Sequence, residues 1–130
     1  MTAVTGLDTA PNFVPIVADY YAGMETMIPL DLAALGITAQ AVADTLADYY
    51  AGQAMMRVHP LGEGTDGGFL AANKLAGKDT LEIFCLPNPD GTQLQLISLF
   101  DNLGKGSSGA AVQCMNLMLG AGGDEKDLER

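Results

Sequence analysis

The sequence predicts an α+β domain: a mixed, largely antiparallel sheet packed with helices. Three observations carry that expectation. The stretch "DTLEIFCLPNPDGTQLQLISLFDN" has the alternation and turn chemistry of a β-hairpin. The stretch "TAQAVADTLADYYAG" has apolar residues at helical spacing behind an N-cap signal. A second apolar helical pattern follows the glycine-rich loop at Gly104–Gly109. Strands, one helix, a hairpin and a last helix make up such a domain. The domain is expected to span residues 1–120, with 121–130 an acidic, frayed tail.

In chain order, the first eleven residues are polar and turn-like. "FVPIVADYYAGMETMIPLDL" then carries Pro15 and Pro29, which argue against a continuous helix. Extended segments joined at Gly23 fit better, with Met24 to Leu30 the clearest strand. Thr38 is the expected N-cap of the next helix. Val42, Leu46, Tyr49 and Tyr50 form its apolar side, and Gly52 is placed to end it in a left-handed conformation. The hexapeptide "ADYYAG" occurs at Ala18–Gly23 and again at Ala47–Gly52; one copy follows prolines and the other closes a helix, so the repeat reads as coincidence. Ala54 to Val58 and Phe69 to Ala72 are expected as short strands around the loop "HPLGEGTDGG". In the hairpin, Leu81, Ile83 and Cys85 alternate with Glu82 and Phe84, and Asp90–Gly91 supplies the turn. The return strand alternates at first and is apolar on both faces from Ile97 to Phe100, which predicts burial from two sides. A final helix is expected from about Lys105 to Leu119, stopped by Gly120.

Composition narrows the function classes. A chain of 130 residues buries roughly two-thirds of its unfolded surface on folding. The 48% hydrophobic content fits a packed domain. No apolar run reaches the roughly 20 residues that span a bilayer, and no basic-then-apolar leader opens the sequence, so a cytoplasmic location is expected. Sixteen acidic residues against six basic ones give a net charge of −10. That surface repels phosphate backbones and anionic lipid, so neither nucleic acid nor membrane is an expected partner. Cys85, Cys114 and the lone His59 are scattered and make no metal-ligand set. His59 is expected to be exposed or partly buried, and both thiols structural, with Cys114 on a packing face of the last helix.

The stretch "DNLGKGSSGAAVQCMNLMLG", Asp101 to Gly120, is the densest in chemistry. A loop that leaves a buried strand and opens a helix presents backbone N–H groups without intrahelical partners, and these attract anions. Gly104 and Gly106 permit close approach and unusual dihedrals, and Lys105 adds a positive charge. Ser107 and Ser108 offer further donors. The spacing is not G-x-x-x-x-G-K-S/T, so this is no Walker A loop. Gly104, Gly106 and Gly109 match G-x-G-x-x-G, yet no second βαβ unit or acidic ribose ligand follows. Two readings stay open from the residues alone: an anion cradle, or a tight strand-to-helix turn with close packing at Ala110 and Ala111.

The same stretch closely resembles the C-terminal signature of the N-acetyl-gamma-glutamyl-phosphate reductases, D-N-L-x-K-G-A/S/T-A/S-G-x-A-x-Q followed by an apolar helix. The match runs through Asp101, Asn102, Leu103, Lys105, Gly106, Gly109, Ala111 and Gln113, with Asn116 beyond. "FVPIVADYYAGMETMIPLDL" is similar to that family's extended segment, and the resemblance covers about Asn12 to Gly120. It implies the C-terminal domain of an NADP-dependent, semialdehyde dehydrogenase-type reductase of arginine biosynthesis, the part that holds substrate and dimerises. In the family a cysteine in G-C-Y/F-x-T forms a thioester with the acyl phosphate, a histidine in H-R/K-H acts as acid/base, and NADPH reduces the thioester. The last helix packs back on the nucleotide-binding half.

Neither catalytic motif occurs in these residues, so the resemblance implies no catalytic residue here and no activity for the isolated chain. It implies NADP as cofactor, with most contacts from a nucleotide-binding half upstream of Met1. Asn102, Lys105 and Gly106 are the expected cofactor-binding residues; the plainer roles are a turn or N-cap for Asn102 and a solvated helix start for Lys105. Self-association as a homodimer or homotetramer is expected, with a small-molecule substrate in the full enzyme. The alternative is a catalytically silent oligomerisation module. The aspartate-semialdehyde dehydrogenases share the overall plan and are the more distant resemblance.

Overall fold

The computed structural model describes residues 2–121; the acidic tail lies, from residue 122 on, outside the described residues. A short helix α1 (Thr2–Thr5) and a long irregular strap lead into strand β1 (Met24–Asp31). Helices α2 (Leu32–Leu35) and α3 (Ala39–Tyr49) follow, then strands β2 (Met56–Val58), β3 (Leu81–Pro87) and β4 (Gln93–Phe100). A π-helical turn, Gly104–Ser108, runs directly into α4 (Gly109–Leu119). The four strands form one mixed sheet in the order β1-β4-β3-β2. β1 with β4 and β4 with β3 are antiparallel, and β2 with β3 is parallel. This is the α+β architecture expected from the hairpin and helix signals.

The hairpin's register runs from Leu81 opposite Phe100 to Pro87 opposite Leu94. Its turn is fixed by side chains. Asp90 accepts hydrogen bonds from the Thr92 amide and hydroxyl, and Asn88 accepts from the Gln93 amide. Gly91 has φ +70°, the left-handed conformation such a turn requires. Helix α3 starts where expected, with the Thr38 hydroxyl accepting from the Ala41 amide at 3.1 Å.

Two small cores lie on opposite faces of the sheet. On one, Leu32, Ala39 and Ala43 pack against Cys85 and Leu94. On the other, Leu75 packs against Phe84, Ile97 and Leu99. Alternating side chains of β3 therefore go to different cores, and Ile83, Phe84 and Cys85 are buried in succession. Two-sided burial was expected at the end of β4. There Ile97 and Leu99 are buried while Ser98 and Phe100 are half-exposed, so it is β3 that is covered on both sides.

Several elements differ from expectation. Phe69 to Ala72 is not a strand; Asp66 and Phe69 form an isolated bridge, and successive turns close from Lys74 to Ala71, Ala76 to Asn73 and Lys78 to Leu75. Consecutive left-handed residues Gly67 and Gly68 break any extended run there. The strand expected from Ala54 begins only at Met56, whose amide is turned back to the Gln53 carbonyl. Helix α3 ends at Tyr49 with Tyr50 as its cap, ahead of Gly52. Residues Thr2–Thr5 are helical although the opening stretch reads as turn. The two "ADYYAG" copies adopt different structures, one in the strap and one closing α3, so sequence identity over six residues does not fix conformation here.

Candidate functional site

The end of β4 builds the candidate site. Asp101, 4% exposed, directs one carboxylate oxygen to the amides of Leu103 (2.7 Å) and Gly104 (3.2 Å), and the other to the Gly77 amide (2.6 Å). Its carbonyl accepts from the Gly106 amide at 2.8 Å. The Ser108 amide donates to the Leu103 carbonyl and the Gly109 amide to the Gly104 carbonyl, so three bonds, each to the residue five positions back, make the π-turn. The N–H groups that make a loop of this kind attractive to anions are thus largely satisfied by an anion of the chain itself, the Asp101 carboxylate.

The glycines of the turn act through space rather than through special dihedrals. None of Gly104, Gly106 and Gly109 has positive φ. A β-carbon at Gly104 would lie 2.8 Å from the Asp79 carboxylate, and one at Gly106 would lie 3.0 Å from the Phe100 ring. At Gly109 it would overlap the Asp79 carboxylate outright. Asp79 is itself buried. Close packing therefore falls on the glycines, whereas Ala111 is exposed and Ala110 only half-buried.

Of the expected cofactor residues, all three lie in this turn but engage different neighbours. The half-buried Lys105 ammonium donates to the Gln113 side-chain oxygen at 2.7 Å, one turn into α4 and beyond. Asn102 accepts from the Gly23 amide at 2.9 Å. Gly106 is held by Asp101 and abuts Phe100. Asp79 and the anchoring bond to Gly77 could not be read from spacing, because both come from the irregular segment before β3.

His59 is a second departure from expectation. It is buried at 6% exposure, not exposed or partly buried, and stacks on Phe84 with ring centroids 4.2 Å apart. Its Nε2 lies 2.8 Å from the Glu82 carboxylate, which also takes the Lys74 ammonium at 3.0 Å. Burial of Glu82 raises its pKa, but the hydrogen bonds from His59 and Lys74 and their charges together outweigh this and hold the carboxyl below its ordinary value. The cysteines divide: Cys85 is fully buried, and burial pushes its thiol up, while Cys114 is exposed, not packed as expected. Among the described residues no three His, Cys, Asp or Glu side chains gather as a metal site would require, and no helix is long and apolar enough to cross a membrane.

Residues 1–102 match the family described as semialdehyde dehydrogenase, dimerisation domain, and the chain belongs to that family. Its relatives are more particular. The chain is 45% identical over 118 residues to N-acetyl-gamma-glutamyl-phosphate reductase of Sinorhizobium medicae (strain WSM419), covering 88% of the chain and 38% of the relative. It is 44% identical over 121 residues to the reductase of Rhizobium etli (strain CFN 42), covering 92% and 39%. The chain thus spans about two-fifths of the length of the curated relatives it matches. The resemblance carried by Asp101 to Gly120 is borne out.

Proposed function

We propose that the chain serves as the dimerisation and substrate-side domain, residues 1–120, of an NADP-dependent N-acetyl-gamma-glutamyl-phosphate reductase of arginine biosynthesis, working in the cytoplasm. The observation that carries this reading is identity of 44–45% along nearly the whole chain to reductases of that name. Uncovered apolar surface supports self-association as a homodimer or homotetramer. Met24, Met27 and Ile28 on β1 are all more than 40% exposed, as are Met115, Leu117, Met118 and Leu119 on α4. A helix so apolar on every side is suited to burial against other structure.

The cofactor in its reduced form, NADPH, would supply the hydride when bound. The turn fits a minor contact to it and no more, since Asp101 already uses the Leu103 and Gly104 amides. Lys105 is the group suited to an anionic part of the cofactor: its ammonium is tethered by a neutral amide oxygen, a partner it can share or exchange. Gly106 keeps the backbone low beside it, and Asn102 presents an amide at the turn's entrance. No nucleophile is assigned to the chain, because Cys85 is buried with a raised pKa and Cys114 lies in mid-helix.

Replacement of the matching segment of the Sinorhizobium medicae reductase by this chain tests the reading. The chimera should form oligomers and reduce the acyl phosphate with NADPH, and Lys105→Ala in it should raise the KM for NADPH more than it lowers kcat. A folded, oligomeric chimera without activity would favour the second reading, a catalytically silent oligomerisation module. The buried, thiol-form Cys85 is what favours that reading for the chain by itself.

A further inference from the structure

We propose that Asn102 is a positioning residue whose amide oxygen latches the strap before β1 to the Lys105 turn, so that strap and turn hold one another in place. β1 and β4 pair from Asp31 opposite Gln93 to Met24 opposite Phe100. One further step of that register sets Gly23 opposite Asp101. The ladder ends at Met24, and the Asp101 carbonyl accepts from the Gly106 amide as the chain enters the π-turn. The Gly23 amide donates to the Asn102 side-chain oxygen, 2.9 Å away. A side chain thus gives the first strap amide beyond the ladder its acceptor.

The surroundings show why the junction is tight. Gly23 has φ +126°, and a β-carbon there would lie 2.5 Å from the Asn73 Cα and 2.6 Å from the Ala72 carbonyl oxygen. Three segments therefore cross at one point: the strap's end, the 72–73 turn and Asn102. Ala22 beside it is buried, whereas Val17 and Tyr21 are 97% and 92% exposed, so the strap is first gripped at the latch. Asp101 anchors the same turn on its other side through Gly77. Adjacent residues 101 and 102 tie the turn to two different parts of the chain.

Only the acceptor atom of Asn102 makes the latch. A contact from Asn102 to a cofactor phosphate would use the amide's donor nitrogen, so the latch stands or falls independently of the cofactor reading. The carboxylate of Asn102→Asp keeps the acceptor and discards the donor; Asn102→Ala discards both.

Hydrogen exchange of the 15N-labelled chain separates the outcomes. In N102A the Gly23 amide should exchange about tenfold faster than in the parent, the loss of one ordinary hydrogen bond. N102D should restore slow exchange. The backbone signals of Lys105 and Gly106 should shift in N102A and also in Gly23→Ala, which opens the same junction from the strap side, and should stay near their parent positions in N102D. Unchanged Gly23 exchange in N102A, or fast exchange in N102D, would overturn the latch. Release of Gly23 with Lys105 and Gly106 unmoved in both N102A and G23A would overturn the coupling.

Discussion

The carboxylate of Asp79 occupies the space that a side chain on Gly109 would need. One residue precedes β3 closely and the other opens α4, so the start of the terminal helix rests directly on the entry to the hairpin. The obstacle is a buried carboxylate, not the far end of a long flexible chain. Gly109→Ala should therefore destabilise the chain by about 1–3 kcal/mol, the range of overpacking in a tight site. Urea unfolding measures it. Asp79→Ala in the same chain should return part of the loss, because the two changes share one contact and cannot add. A G109A variant as stable as the parent would mean that α4 does not sit on Asp79.

Asp101 satisfies three backbone amides at once, those of Gly77, Leu103 and Gly104. Asp101→Ala leaves all three without this acceptor, and for the buried Gly104 amide a donor left unmade costs about 1–3 kcal/mol. The loss should exceed that of G109A. Asp101→Asn keeps the shape and one acceptor oxygen, so its unfolding midpoint should fall between the parent and D101A. Equal stability of D101A and the parent would show that the turn does not depend on this carboxylate.

The two thiols should differ sharply toward a thiol reagent. Cys114 is exposed and Cys85 fully buried, with its thiol form favoured by that burial. Native chain should take up one equivalent of a disulfide-exchange reagent quickly, and Cys114→Ser should abolish that phase. Cys85 should react only when the chain unfolds. Rapid labelling of Cys85 in native C114S would show that the α3-side core opens far more readily than its packing implies.

The hairpin and the start of α3 were legible because their determinants are local: turn residues at Asp90–Gly91, a cap at Thr38, and alternation over short runs. The resemblance of Asp101 to Gly120 was legible for a different reason, since a string of fixed residues needs no structural reasoning to match. What the turn's glycines do was not legible. Their positions suggested unusual dihedrals and left open an anion cradle or a tight turn, whereas Gly104 and Gly109 make room for Asp79, Gly106 abuts Phe100, and the Leu103 and Gly104 amides are taken by Asp101. Asp79 and Gly77 arrive from the segment before β3, which has no periodicity to read. The partner of His59 escaped for the same reason, because Glu82 sits across a long loop. Which residues of β1 and α4 stay exposed was not legible either, since a sequence pattern marks an apolar face without saying what covers it.

Glu82 links that hidden cluster to pH. Its folded-state pKa is held below the ordinary 4.5, since the hydrogen bonds and charges of His59 and Lys74 outweigh the opposing effect of burial. A carboxyl more acidic folded than unfolded binds fewer protons in the native state, so its contribution is complete above the ordinary value and is lost as pH falls through the folded one. The parent should therefore lose stability between about pH 5.5 and 3, the ordinary carboxylate range. Glu82→Gln lacks the charge and should start less stable at the upper end, with a shallower decline. The gap between the two urea midpoints should narrow as the solution is acidified. Parallel curves across that range would mean that Glu82 gains nothing from His59 and Lys74 in the folded chain, and the buried ion pair would carry no part of the acid limb.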